Sequence, residues 1–258
     1  GLIFQIIFKN QLITPYTLGI ASGTTLFTAI SIVFFPAMYM PISSVLGSLV
    51  TILILYYISK QINKSSIAVS TNSILLIGIA LSYFYSSALM LVFYMSNLQE
   101  NYSIVRFTLG SLDTVGFTST LIIVFVSIIF YAVIHFNKEK IKLLLICNDT
   151  AFLKGLNVHK TNLILLIVVS LSVGVCISFV GPIGFIGLVV PHIIKLIYKQ
   201  SADKLFFPVF FFGGIFLVFS DLISRNLNTD STLPIGVVTA FIGAPFFVYL
   251  LVRRSRKL

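Results

Sequence analysis

The chain has 258 residues, of which 58% are hydrophobic and only 9% are charged, and its mean hydropathy is +1.07. A soluble domain carries charge on about a quarter of its residues, so this composition excludes an ordinary water-soluble fold. The net charge of +10 does not indicate nucleic-acid binding, because a basic surplus in a membrane protein marks its cytoplasmic loops.

Uncharged stretches in chain order predict an all-α membrane protein. Five of them reach the roughly 20 apolar residues that cross a bilayer, at 10–59, 65–99, 114–137, 161–194 and 231–252. Pro36 and Pro41 divide the first stretch, and Pro182 divides the fourth. This gives seven spans, near 17–35, 42–59, 73–96, 117–136, 162–180, 183–197 and 234–252, and the apolar segment near 205–225 brings the number of complete spans to eight.

Residues 1–8 are apolar but too short to span, and they have no initiating Met and no basic n-region. They are interpreted as the end of a helix whose beginning is missing, not as a signal peptide. We therefore expect residues 1–258 to form one transmembrane domain, as a fragment that lacks the first span and most of the second.

Basic residues segregate to one side of this predicted topology. If the loop after Phe8 is cytoplasmic, only Arg106 and Arg225 lie outside. The inner side then holds Lys9, Lys60, Lys64, Lys138, Lys140, Lys142, Lys154, Lys160, Lys195, Lys199, Lys204, Arg253, Arg254, Arg256 and Lys257. Such a bias is typical of cytoplasmic loops and predicts a cytoplasmic C-terminus. It also supports Pro182 as a true break between two spans.

Two loops are more than connections. Residues 97–116 on the outer side are long enough for a short helix at the interface, and residues 148–160 on the inner side form a compact amphipathic stretch that pivots at Gly155. Small residues predict close helix packing at the Gly19/Gly23 pair and at the glycines of 181–187.

The sequence offers no catalytic constellation. It has no phosphate-binding G-x-x-x-x-G-K-[ST] loop and no H-E-x-x-H pattern. Cys147 and Cys176 have no metal-type spacing, and no cofactor is expected. Asp221 and Arg225 are four residues apart on one predicted helix and can pair there. From the residues alone, that pair is equally consistent with a structural and a functional role.

Three segments together resemble the FecCD-type permeases, the iron-chelate and cobalamin branch of binding-protein-dependent ABC importers. They are GPIGFIGLVVPH at 181–192, LPIGVVT with GAPFF at 233–247, and NQL with P and LGIASG at 10–23. The matches occur in family order and cover residues 1 to about 252. Within the first segment, the residues that carry the motif are Gly181, Pro182, Gly184, Gly187, Pro191 and His192.

The resemblance implies the ten-span fold of type II ABC importer permeases and a set of partners. These are a second permease subunit, identical or related, two cytoplasmic ATPases, an extracytoplasmic binding protein and the surrounding lipid. It also implies a cytoplasmic gate, which matches Asn10, Leu12, Ser70 and Thr71. Gln11 stands where proline is usual, so we expect a less rigid turn.

Partner contacts are implied at both ends. Arg225 matches a family arginine that meets an acidic residue of the binding protein, and Arg106 is assigned to the same docking surface. Residues 148–160 resemble the loop that docks into the ATPase, where Asp149, Ala151, Gly155 and Val158 fit the pattern.

The sequence therefore predicts a non-enzymatic permease subunit in the bacterial cytoplasmic membrane, with ferric siderophore as the leading cargo and haem or cobalamin as alternatives. A secondary transporter driven by an ion gradient is one rival, which would need an ionisable residue such as Asp221 in its mechanism. An intramembrane enzyme is the other.

Overall fold

The computed structural model describes residues 1–35, 40–62, 71–113, 117–146, 151, 153–198, 200–227 and 233–255. Eleven α-helices have defined bounds in these ranges, where no strand occurs, which confirms the all-α prediction. They are α1 (Leu2–Ile7), α2 (Ile20–Phe34), α3 (Met40–Ile62), α4 (Thr71–Met95), α5 (Leu98–Leu109), α6 (Phe117–Phe136), α7 (Lys138–Ile146), α8 (Val158–Val180), α9 (Ile186–Tyr198), α10 (Phe206–Asn226) and α11 (Ile235–Ser255).

A helix occurs at each of the eight places where a span is predicted. Five of them, α3, α4, α6, α8 and α10, are long and apolar enough to cross a membrane, whereas α2, α9 and the apolar part of α11 are shorter. The predicted boundaries shift where local structure intervenes. The α8 helix starts earlier than expected because Asn157 caps it, and α9 starts later because 181–184 is not helical.

Small and hydroxyl-bearing residues hold α2, α3, α4 and α8 together at the centre of the bundle. A Cβ on Gly23 would clash with Thr51 of α3, and one on Gly174 of α8 would clash with Ser48. The Thr51 hydroxyl also donates to the Tyr85 hydroxyl of α4 at 3.1 Å. Close backbone approach and interhelical hydrogen bonds are the interactions that join helices in lipid, where apolar side chains gain little from contact with one another.

The Gly19/Gly23 pair only partly fulfils the expectation of a helix-packing motif. Gly23 lies in α2 and packs against α3, as expected. Gly19 instead precedes α2 as its N-cap, with a left-handed φ of +74° that favours glycine. It lies against the Gly78 carbonyl of α4, which an added Cβ would approach to 3.1 Å. Its role is therefore to turn the chain into α2.

The remaining helices surround this centre. The α9, α10 and α11 helices pack in sequence, α6 packs on α8 and α7, and α5 contacts α2 and α11. The short helix predicted in 97–116 is present as α5, which begins with a complete capping box between Asn97 and Glu100. All six residues of α1 are buried.

Candidate functional site

The turn that contains Asn10 and Leu12 is held by its own side chains. Asn10 Oδ1 accepts a hydrogen bond from the Leu12 backbone N–H at 2.9 Å, and Leu12 is 45% exposed. Further along, the Thr14 N–H donates to Thr17 Oγ1 at 2.8 Å, and the Thr17 N–H donates to Thr14 Oγ1 at 3.3 Å. Asn and Thr side chains close such turns by hydrogen bonds to nearby backbone groups, and Pro15 lies within the second of these two turns. The turn beside Gln11 thus has local stabilisation of its own.

This turn is anchored on α4. A Cβ on Gly78 of α4 would lie 2.6 Å from the Thr17 carbonyl oxygen and 2.8 Å from the Leu18 Cα, so the two backbones touch at this point. Of the other two residues predicted for the gate, Ser70 lies outside the described residues, and Thr71 is the first residue of α4. The structure thus packs the segment that follows Asn10 and Leu12 on the helix that begins at Thr71.

The 181–192 motif forms the break between α8 and α9. Gly181 ends α8 with φ +71°, and a Cβ there would clash with the Phe107 carbonyl of α5. Gly110, which ends α5 with φ +73°, belongs to the same contact. A Cβ added to Gly110 would lie 3.1 Å from the Pro182 carbonyl oxygen. Gly236 of α11 packs against the Leu109 carbonyl. Three helix ends therefore meet at glycines.

The other members of the motif have different surroundings. An added Cβ on Gly184 would have no neighbour within 4 Å, so this glycine is not needed for close packing among the described residues. Gly187 lies against Gly1, and Pro191 is buried inside α9. The rings of His192 and Phe247 of α11 are nearly perpendicular, with a centroid distance of 6.3 Å.

Sequence reasoning missed Phe185, which stands in the same motif. Its φ is +64°, a region that costs a residue with a Cβ, and its side chain packs against Gly243 of α11. The Gly184-Phe185 order gives no signal for this, because the glycine that permits the contact lies 58 residues further along the chain. The positive φ directs the chain into α9, which begins at Ile186.

Four charged side chains, Arg106, Asp113, Asp221 and Arg225, form what we call the rim cluster. Arg225 Nε donates to Asp221 Oδ2 at 2.8 Å, which confirms the geometry expected for that pair. Arg225 Nη2 also lies 3.3 Å from Asp113 Oδ1, and Arg106 Nη2 lies 3.8 Å from Asp113 Oδ2. The structure thus joins the two arginines assigned to docking through one aspartate. All four side chains keep contact with water, with 24–59% of their surface exposed.

Asp113 is the member of the rim cluster that sequence reasoning missed. Its carboxylate accepts a hydrogen bond from the Ser111 hydroxyl at 2.8 Å, and its N–H donates back to Ser111 Oγ at 3.0 Å. The Ser111 N–H donates to the carbonyl of Val180, the last residue of α8, at 2.8 Å. The Ser-x-Asp spacing signals a turn, but the arginine from α10 comes from 112 residues away.

The loop before α8, which the charge pattern predicts on the cytoplasmic side, is held by backbone geometry. The Leu156 N–H donates to the Ala151 carbonyl at 3.0 Å, and Gly155 between them has φ +80°, the combination that closes a helix end. Asn157 Oδ1 then accepts from the Lys160 N–H at 3.0 Å and caps α8. The expected pivot at Gly155 is therefore present. Asp149 and its neighbours 147, 148, 150 and 152 lie outside the described residues.

The side chains of this loop divide into anchors and an exposed tip. Ala151 is fully buried and Val158 is 4% exposed, so neither can touch a partner directly in this conformation. Leu153 is 82% exposed on the same turn, beside exposed Lys154. Sequence reasoning missed Leu153, because an apolar residue in an amphipathic stretch is more often buried. We call 151–160, without residue 152, the coupling loop, after the role that the sequence resemblance implies for it.

Helix α4 exposes a mixed face. Tyr83 and Tyr94 are 71% and 90% exposed, and Ser86, Ser87 and Met90 between them are exposed as well. By contrast, every exposed residue of α6 between 121 and 129 is aliphatic or phenylalanine. A hydroxyl has no partner in hydrocarbon. The α6 face therefore suits lipid, and the α4 face suits water or protein.

Comparison with known proteins decides the family. A model described as the FecCD transport family matches residues 1–253. The chain belongs to this family. Its relatives include the vitamin B12 import system permease protein BtuC of Vibrio vulnificus, with 29% identity over 98% of this chain and 76% of the relative. Another is the Fe(3+)-citrate import system permease protein YfmD of Bacillus subtilis, with 29% identity over all of this chain and 76% of the relative.

A solved structure has the same fold as this chain. It is described as an inward-facing conformation of a metal-chelate type ABC transporter, and it superposes with a TM-score of 0.88. At 24% identity it covers 98% of this chain and 80% of that chain. The predicted helical permease fold is thereby confirmed, and the FecCD chain is a multi-pass membrane protein of a transport family.

Proposed function

We propose that this chain is the permease subunit of an ABC importer in a bacterial cytoplasmic membrane, and that ATP is hydrolysed by partner subunits. The FecCD match over residues 1–253 is the observation that carries the proposal. The partners are a second permease subunit, two cytoplasmic ATPases and an extracytoplasmic binding protein. The coupling loop would meet the ATPase, and the rim cluster would meet the binding protein.

The positions of these two sites support the assignment. The coupling loop leads into Val158, where α8 begins, and Ser111 of the outer loop bonds to Val180, where α8 ends. A helix of this length, 23 residues, extends about 34 Å, enough to cross the hydrocarbon core of a bilayer. Partners that bind the two sites would therefore lie on opposite sides of the membrane.

The pathway would run along the exposed face of α4, against the second permease subunit. The tyrosine and serine hydroxyls of this face offer weak polar contacts, and no charged residue stands between Thr71 and Met95. Such a surface can pass a large, polar chelate without holding it. Selection of the cargo then falls to the binding protein.

We propose ferric siderophore or a related iron chelate as the cargo, with cobalamin and haem as alternatives in the same family. The named relatives support both main classes, since one imports ferric citrate and another imports vitamin B12. A Lys/Arg-poor, hydroxyl-rich pathway is compatible with either. The partner binding protein would distinguish them by the ligand it retains on purification.

An ion-coupled secondary transporter is disfavoured by the placement of Asp221. Its carboxylate accepts from Arg225 at 2.8 Å and stands five residues before the end of α10. A proton- or sodium-coupling carboxylate has to lie in the membrane interior and exchange its ion during transport. An aspartate paired with arginine at a helix end is poorly suited to that task.

The test is uptake by proteoliposomes that contain the permease and its ATPase, supplied outside with the binding protein loaded with radioactive ferric siderophore. We expect uptake only with ATP inside, and no loss of uptake when a proton or sodium ionophore is added. Uptake that needs no ATP and stops with the ionophore would overturn the proposal. Cobalamin-loaded binding protein, tested in parallel, decides between the cargo classes.

A further inference from the structure

Asp113 contacts both arginines that the proposed function assigns to docking. We propose that its carboxylate is an internal stand-in for an acidic group of the binding protein, which holds Arg106 and Arg225 until the partner docks and displaces it. This inference rests on the proposed function, because it presumes a binding protein that meets these arginines. It adds a residue that competes with the partner and so limits the affinity of docking.

The Asp113 carboxylate occupies the position that a carboxylate of the binding protein would take between the two arginines. Its two carboxylate oxygens are divided between the arginines, with Oδ1 facing Arg225 Nη2 at 3.3 Å and Oδ2 facing Arg106 Nη2 at 3.8 Å. Arginine offers several donors in a fixed plane and recognises a carboxylate of a partner with the same atoms. A partner carboxylate that approaches this site must therefore share or replace the contact with Asp113.

The pairs are weak enough to exchange. Arg106 keeps 59% of its side-chain surface exposed and Arg225 keeps 46%, so water and a partner can reach both guanidinium groups. An exposed ion pair at 3.3–3.8 Å is close to balanced against solvation. Displacement of Asp113 by a second carboxylate is therefore an exchange of similar contacts, as a reversible docking step requires.

The rim cluster carries no net charge, since two arginines face two aspartates. A neutral cluster attracts an acidic partner less than two free arginines would, because long-range attraction follows the summed charge. Asp221 also neutralises Arg225, but it lies on the same helix and does not reach α5 in the structure. Of the two aspartates, only Asp113 bridges both arginines.

Asp113 is also tied to the end of α8. The Ser111 hydroxyl holds the Asp113 carboxylate, and the Ser111 N–H holds the Val180 carbonyl. Displacement of Asp113 would loosen the Ser111–Asp113 turn, which lies beside the break between α8 and α9. Docking of the binding protein would then change the contact between this turn and the end of α8.

The test is the affinity of the assembled transporter in nanodiscs for its fluorescently labelled partner binding protein. With Asp113→Asn, which keeps the shape but removes the charge, we expect about three- to tenfold tighter binding at low salt, mainly through faster association. Asp113→Glu should restore affinity close to that of the unaltered protein. Tighter binding in Asp113→Asn should shrink as salt is added, because it is electrostatic.

Asp221→Asn is the matched control, because it removes the same charge from the same arginine without breaking the bridge to Arg106. A smaller gain in affinity than in Asp113→Asn supports the stand-in, and an equal gain shows that net charge alone matters. Unchanged or weaker binding in Asp113→Asn also overturns the inference. If the unaltered transporter does not bind the protein at all, the docking assignment in the proposed function fails instead.

Discussion

The rim cluster and the coupling loop are associated with opposite ends of α8, and different interactions hold them. Side-chain ion pairs from three segments of the chain organise the rim cluster, with every member in contact with water. The coupling loop is organised by a left-handed glycine, a backbone hydrogen bond and a helix cap, over two buried anchors. We infer that the rim binds its partner by charge and that the loop binds its partner by shape. Substitutions at the two sites should therefore fail in different ways.

The largest effect is expected from Gly155→Val. Its φ of +80° is strained for any residue with a Cβ, and most strained for a β-branched one, at a cost of about 1–3 kcal/mol. The helices should still insert, but the turn should change shape and release the ATPase. Uptake and the stimulation of ATPase by loaded binding protein should both collapse.

The control for that substitution is Gly155→Asn. Asparagine tolerates the left-handed region better than other residues with a Cβ, and an added Cβ meets no atom within 4 Å at this position. Gly155→Asn should therefore retain most of the uptake. Equal loss in both variants would show that the φ of Gly155 is not what matters.

A smaller effect, confined to the ATPase contact, is expected from Leu153→Asp. Leu153 is 82% exposed between the buried anchors Ala151 and Val158, so it is an apolar group that the described part of the loop presents to a partner. A buried apolar anchor at an interface contributes about 2 kcal/mol, which corresponds to roughly thirtyfold in affinity. Affinity for the purified ATPase should fall by that order, as measured by titration in nanodiscs. Lys154→Gln, one residue further, should change it far less.

A still smaller effect is expected from Arg225→Glu in the rim cluster. The change replaces an attraction by a repulsion toward an acidic partner, and it places a third carboxylate beside Asp113 and Asp221. Affinity for the binding protein should drop by about an order of magnitude at low salt, with basal ATPase activity unchanged. Unaltered affinity would show that Arg225 has only a structural role, in its pair with Asp221.

The last effect is expected on stability, not on partner binding, within the 181–192 motif, where two glycines have different surroundings. Gly181→Ala should destabilise the contact between α5 and α8, because it adds a Cβ at φ +71° against the Phe107 carbonyl. Gly184→Ala should be neutral, because its Cβ would have no neighbour within 4 Å. Thermal unfolding of the two variants in detergent measures the difference. Equal stability would contradict the close packing at Gly181.

Local features of the fold could be predicted, whereas contacts between distant segments could not. The helices followed from uncharged stretches and prolines, and the positive φ of Gly155 followed from its place between two helical pieces. Within the rim cluster, the sequence predicts only the i,i+4 pair of Asp221 and Arg225. The contact between Asp113 and Arg225 could not be predicted, because 112 residues separate them. Gly19 was assigned to helix packing, since its spacing to Gly23 gives no sign that the chain turns there.

The most direct test of the account measures two affinities, for the ATPase and for the binding protein, in Gly155→Val and in Arg225→Glu. Gly155→Val should lose affinity for the ATPase and keep its affinity for the binding protein, and Arg225→Glu should do the reverse. That result would assign each partner to its own end of α8. Loss of binding-protein affinity in Gly155→Val, with Arg225→Glu binding that protein normally, would contradict the assignment.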